Sequence, residues 1–221
     1  MPIDPTPETS TRQASTAPAL LRVICCAALI LVMAPRGLAQ DKDDGPAPGL
    51  NEVPLKLQSD IKKAIDLGVE HLLTTQSLDG SWLQNLDNYG PGMTGLALYA
   101  LLKSGLSQEH PAVRRGFAFM ERHPPKKTYS RSCVLLAVAT RGLEQDEEWM
   151  EQLVEELLDT QVVEGWGYPG GHPDLSNTQY AAMALRAAAA AGVSIPAKAW
   201  KRLADAVLDY AEPVKGVESG L

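Results

Sequence analysis

The sequence predicts an all-α protein built from helical hairpins, and three observations carry that prediction. Hydrophobic residues make up 45% of the chain but aromatic residues only 5%. The core therefore has to come from Ala, Leu and Val, which suits closely packed helices better than a sheet. From Ser59 onward the apolar residues recur at three- and four-residue steps, the pattern of helices with one apolar face. Every second helical segment then stops at a glycine and a short turn: Ser104-Gly105-Leu106, Arg141-Gly142-Leu143 and Ala191-Gly192-Val193. These stops lie roughly 40–50 residues apart, the period of a helical-hairpin array.

The first segment stands outside that array. A polar lead carries Arg12 and Arg22, an apolar run spans Val23 to Ala34, and Gly37-Leu38-Ala39 follows. Small residues stand at both positions that a signal peptidase reads, so residues 1–39 read as a signal peptide cleaved after Ala39. The run is short for a membrane span; an uncleaved anchor is the alternative. The expected location is periplasmic or extracellular. Cys25 and Cys26 lie inside the run, which leaves Cys133 as the one thiol of the exported chain. No internal disulfide is then expected, and the core alone must supply stability. Residues 40–58 are rich in Asp, Pro and Gly and read as a linker.

The repeat domain is expected over 59–211, with a tail over 212–221. Ile61, Ala64, Ile65, Gly68, Val69, Leu72 and Leu73 give the first helix its apolar face, with Ser59 or Asp60 as N-cap and an end near Gln76. Further helices are predicted over Met93–Ser104, His110–Arg122, Tyr129–Arg141, Asp146–Thr160, Ser176–Ala191 and Pro196–Tyr210. Pro124-Pro125 ends the third, glycines end the second, fourth and sixth, and Pro196 suits a first turn. Longer amphipathic A helices thus alternate with small-residue-rich B helices. The order gives three A/B hairpins and one unpaired A helix.

The turns between A and B helices carry a repeated motif. The first copy reads Gly68-x-x-His71-Leu72-x-x-x-Gln76-x-x-x-Gly80-x-Trp82. The second keeps Arg115-Gly116-x-x-Phe119-Met120 but has Pro124 where Gln and Trp are due. The third has Leu157-x-x-x-Gln161 and Gly165-Trp166. This pattern resembles the QW motif of the squalene cyclase and protein prenyltransferase repeat family. The resemblance covers Ser59 to Tyr210 and implies a partial α/α toroid of about seven helices, a short member of that superfamily. It also implies structural roles for Gln76, Trp82, Gln161 and Trp166. A side-chain amide can satisfy orphan backbone groups at a helix end, and an indole can cover a Gly-rich turn.

The chemistry of that family is not matched. Asp41-Lys42-Asp43-Asp44 fits the Asp-x-Asp-Asp pattern of class II terpene cyclases, but it sits in the linker just after the cleavage site. The prenyltransferases bind zinc through Asp, Cys and a His that opens an inner helix. The comparable stretch here is Asn177-Thr178-Gln179-Tyr180. A substitute set of Cys133, His172 and Asp174 would need to converge on one ion, and Cys133 sits in an apolar run where a core thiol is expected. His71, His110 and His123 lie on or beside A helices and are expected at the surface. The Cys-Gly-Glu-Gln thioester of the complement-type toroids is absent. No metal or cofactor is expected.

The Gln161–Tyr180 stretch is the candidate site. Ser176 and Gln179 fit a capping box, and Gln161 and Trp166 serve the turn. In a toroid the B-helix starts would gather Trp82, Asn88, Tyr89, Trp166, Tyr168, His172, Asp174 and Asn177 at one mouth, where helix dipoles attract polar groups. Tyr89, Tyr168, His172, Asp174 and Asn177 are the candidate ligand-binding residues. Asp174 stands with Glu164 and His172 as the acid–base groups of the loop, but no spacing selects the carboxylate pair that a glycosidase needs. Asp174 could equally serve the start of the B helix.

The expected function is an exported, non-catalytic module that binds a ligand or protein partner in its concave face. The alternative is an enzyme, or a fragment of one, acting on an isoprenoid or an envelope polysaccharide. Isoprenoids and glycans are the ligand classes, and self-association through the open ends of the array is a further expectation. A net charge of -7 without a basic cluster argues against nucleic acid and against a polybasic membrane contact.

Overall fold

The computed structural model describes residues 54–82 and 89–210. The expected signal peptide, Asp41–Asp44, most of the linker, Asn88 and the tail lie outside the described residues. Seven α-helices follow one another among the described residues: α1 (Leu55–Thr75), α2 (Gly90–Lys103), α3 (Pro111–Arg122), α4 (Thr128–Arg141), α5 (Glu147–Asp159), α6 (Leu175–Ala190) and α7 (Ala197–Asp209). One 3-10 turn, Glu144–Asp146, leads into α5. Two isolated bridges, Val162 with Gly165 and Gly167 with Pro173, are the β-type pairings. The protein is all-α, and none of its described helices is long and apolar enough to cross a membrane.

The B helices form one layer. α2, α4 and α6 lie side by side, with α4 in the middle. The A helices cover them: α1 and α3 lean on α2, α5 on α4 and α6, and α7 on α6. Small residues let the B helices approach. An added Cβ on Gly95 would sit 2.8 Å from the Cys133 carbonyl carbon and oxygen, and one on Gly92 would sit 2.7 Å from the Ser130 Cα. The α2–α4 contact is therefore backbone against backbone, closer than any side chain allows. α4 is accordingly buried almost throughout, from Ser132 to Val138. The end helices are shallow: Gly68 is the buried residue of α1, and Ala199 and Ala206 are those of α7.

A charged staple holds the opposite end of this layer. Gly142 ends α4 in the left-handed region (φ 64°), and its N–H donates to the Val138 carbonyl at 3.1 Å. The chain then doubles back so that Asp146 accepts two bonds from Arg141, at 2.7 and 2.5 Å. Both side chains are buried, at 3% and 9% exposed. The Arg141 guanidinium stacks 3.6 Å over the Phe117 ring, and Phe117 meets Trp149 edge-on. α3, α4 and α5 are tied in one cluster.

Two helix starts differ from the sequence expectation. α1 begins at Leu55, so Ser59 and Asp60 lie inside it and the linker is shorter than 40–58. Pro54 marks the boundary, and Leu55-Lys56-Leu57-Gln58 are all good helix formers. α2 begins at Gly90 rather than Met93, because Pro91 is tolerated in a first turn where its missing N–H costs nothing.

Candidate functional site

The two A-to-B turns that contain Trp are closed by the same set of bonds. The Trp82 indole N–H donates to the Leu72 carbonyl at 2.7 Å, and its backbone N–H donates to the Thr94 hydroxyl at 3.2 Å. Trp166 repeats this with Leu157 at 2.8 Å and Thr178 at 3.0 Å. Each indole adds a bond to a carbonyl near the end of the preceding A helix, and each Thr fastens the next helix. Both rings are buried, Trp166 fully and Trp82 to 7% exposure. They are thus part of the body and offer no open aromatic face. Gly165 precedes Trp166 with φ 109°, and a Cβ there would strike the Thr178 hydroxyl; only glycine suits that position.

The glutamines join neighbouring A helices, a wider reach than tying their own hairpin. Gln161 Nε2 donates to the Ala199 carbonyl at 3.0 Å. Gln76 Nε2 donates to the Ala112 carbonyl at 2.8 Å and to Gly80 at 3.0 Å, while its Oε1 accepts from Arg115 at 2.6 Å. Gly116 lets α3 close on α2: a Cβ there would lie 2.9 Å from Leu98 and 3.1 Å from the Trp82 ring. The middle hairpin, which lacks both motif residues, uses His123 stacked on Phe119 at 4.2 Å and a buried Pro125. His71 and His123 are exposed, whereas His110 is half-buried and its ring accepts the Ala112 N–H to cap α3.

The starts of α2, α4 and α6 gather at one end of the B layer. Lys127, just before α4, places its ammonium 3.9 Å over the ring of Tyr89, just before α2. Thr128 donates to the Gly167 carbonyl at 2.8 Å, which pins the α5–α6 loop beside Tyr168. Tyr129 and Tyr180 meet across α4 and α6 with ring centroids 4.4 Å apart. Tyr168 is 44% exposed, His172 is exposed, and Tyr89, Tyr129 and Tyr180 are half-buried. Neither α2 nor α4 has a side-chain cap, so their first-turn N–H groups carry the positive helix ends uncapped at this end of the layer.

Asp174 and Asn177 are occupied with each other. Asp174 is the N-cap of α6: one carboxylate oxygen accepts the Asn177 backbone N–H at 2.8 Å and the other its side-chain amide at 2.7 Å. This overturns the capping box of Ser176 and Gln179. The reason lies in the loop: Gly167 pairs with Pro173, and the Asp174 N–H donates to the Trp166 carbonyl at 2.9 Å. That holds Asp174 in extended backbone (φ -142°, ψ 156°), the conformation of an N-cap. Asn177 is 1% exposed and Ser130 likewise. Asn177 Oδ1 and Ser130 Oγ have no hydrogen-bond partner, an unusual pair of orphans at neighbouring helix starts.

Tyr129, Lys127, Tyr180, Thr94 and Thr178 are residues of this end that the motif reading passed over. Two tyrosines at B-helix starts, and a Thr twelve residues after each Trp, were the available signals. Cys133 is fully buried in α4, and among the described residues no group of His, Cys, Asp and Glu is placed to hold a metal ion. Burial, reinforced by the nearby Cys133 and Tyr180, pushes the Tyr129 phenol well above its ordinary value of 10.0. The folded state then holds that proton more tightly than the unfolded chain. This contribution to stability is complete below about pH 10 and fades as the pH rises past it. Urea midpoints measured from pH 9 to 11 are expected to fall more steeply for the parent than for Tyr129→Phe. Parallel slopes would show that Tyr129 ionises freely.

Comparisons with protein-family models, with curated proteins and with solved structures find no match to this chain.

Proposed function

We propose that the chain is an exported, non-catalytic binding module, a short repeat protein of the QW type curved as a partial α/α toroid. Its ligand sits at the mouth formed by the starts of α2, α4 and α6. The observation that carries the binding reading is the cluster of Tyr89, Lys127, Tyr129, Tyr168 and Tyr180 at that one end. Their rings are partly open, and rings of this kind with a polar tip serve recognition surfaces well. The non-catalytic reading is supported by Asp174, whose two oxygens are both spent on Asn177. The family reading is supported by the duplicated Trp clasps and Gln ties.

The test is a titration of the full chain with soluble glycans and with polyprenyl phosphates, followed by calorimetry. At least one probe is expected to bind saturably and to weaken about tenfold in Tyr168→Ala, a loss of about 1.4 kcal/mol. A probe that binds the parent and the variant alike would move the site elsewhere. Turnover of any probe would replace the binding reading with the enzymatic one.

A further inference from the structure

Resting on the binding reading above, we infer that the mouth accepts an acidic sugar, its carboxylate on Lys127 and its ring against the tyrosines. Lys127 is half-buried, and its ammonium lies against the Tyr89 ring at 3.9 Å. Among the described residues it has no carboxylate partner, unlike Lys62, Arg131, Arg141 and Lys201, which pair with Asp66, Glu156, Asp146 and Asp205. An ammonium resting on an aromatic face leaves its other side open. Lys126 beside it is exposed. Of the two carboxylates on the α5–α6 loop, Asp174 has both oxygens hydrogen-bonded by Asn177, and Glu164 is exposed and makes no ion pair with Lys127. Lys126 and Lys127 thus place two positive charges just before α4 on a chain of net charge -7, and the positive end of α4 adds to their field.

The rest of the ligand has to suit tyrosines rather than a hydrocarbon slot. Trp82 and Trp166, the apolar rings of the two turns, are buried with their N–H groups spent on carbonyls. What stays open is Tyr168, at 44% exposure, with Tyr89, Tyr129 and Tyr180 half-buried. A flat, hydroxylated ring can lay its C–H face on such a phenol and leave its hydroxyls in water, whereas an isoprenoid chain would stay largely wet.

Calorimetry on the full chain with an oligogalacturonide, with its methyl ester and with a polyprenyl phosphate separates the outcomes. The acid is expected to bind roughly five- to tenfold more tightly than the ester. Added salt should erode that advantage, and Lys127→Met should erase it. Tyr168→Ala should weaken acid and ester alike. An ester that binds as tightly as the acid, or an advantage that survives Lys127→Met, overturns the inference. If the polyprenyl phosphate binds and responds to Tyr168→Ala while neither sugar binds, the sugar is wrong and the mouth stands. If no probe responds to Tyr168→Ala, the mouth falls with it.

Discussion

Trp166→Ala is expected to remove about 3–5 kcal/mol of folding stability. The ring is fully buried, so the loss is that of a large side chain and the cavity it leaves. Hydrogen bonding contributes less. The Leu157 carbonyl that receives the indole N–H also accepts the Thr160 backbone N–H at 3.2 Å and its hydroxyl at 2.9 Å, so it is not orphaned. Trp166→Phe should therefore cost much less, about 1–2 kcal/mol, from one lost bond and a smaller ring. Urea unfolding read by circular dichroism compares the three proteins. The drop for Trp166→Ala corresponds to a melting temperature lower by roughly 6–20 °C. A midpoint unchanged in Trp166→Ala would mean that the turn does not depend on its clasp.

Asp146→Ala is expected to cost a similar amount, about 3–5 kcal/mol. Here the mechanism is electrostatic. Arg141 and Asp146 are buried at 9% and 3% exposure, and removing the carboxylate leaves a guanidinium wedged on the Phe117 ring without its counter-charge. The pair itself need not be stabilising, because desolvation offsets much of its attraction. The double variant Arg141→Met with Asp146→Leu should therefore recover most of the loss. A double variant as unstable as Asp146→Ala would show that the pair, and not the stranded charge, was responsible.

Much of the fold could be read from the sequence because its signals are local. Helix periodicity and glycine stops sit within a few residues of the structure they specify, and all seven described helices follow them. Contacts between repeats were harder to read. Nothing in the sequence near Gly95 announces that it will meet the Cys133 backbone, and Lys127 reaches Tyr89 only because α2 and α4 lie level. The start of α6 shows how two local signals can compete. Ser176 with Gln179 and Asp174 with Asn177 both look like caps. The pairing of Gly167 with Pro173 decides for Asp174 by holding it extended. The candidate site was legible as a stretch but not as a set: Tyr168 and His172 are exposed and Tyr89 is half-buried against Lys127, whereas Asn177 is buried and Asp174 caps α6.

The two Trp clasps differ in one respect. From Trp back to the helix carbonyl the span is 10 residues for Trp82 and 9 for Trp166. From Trp forward to the Thr hydroxyl it is 12 in both. Each forward segment is fastened at both Trp and Thr, so the spacing between the two anchors is the same in both copies. The seven residues that follow Trp differ at every position in sequence, Leu-Gln-Asn-Leu-Asp-Asn-Tyr in one copy and Gly-Tyr-Pro-Gly-Gly-His-Pro in the other. The clasp therefore fixes a distance along the chain rather than a particular sequence.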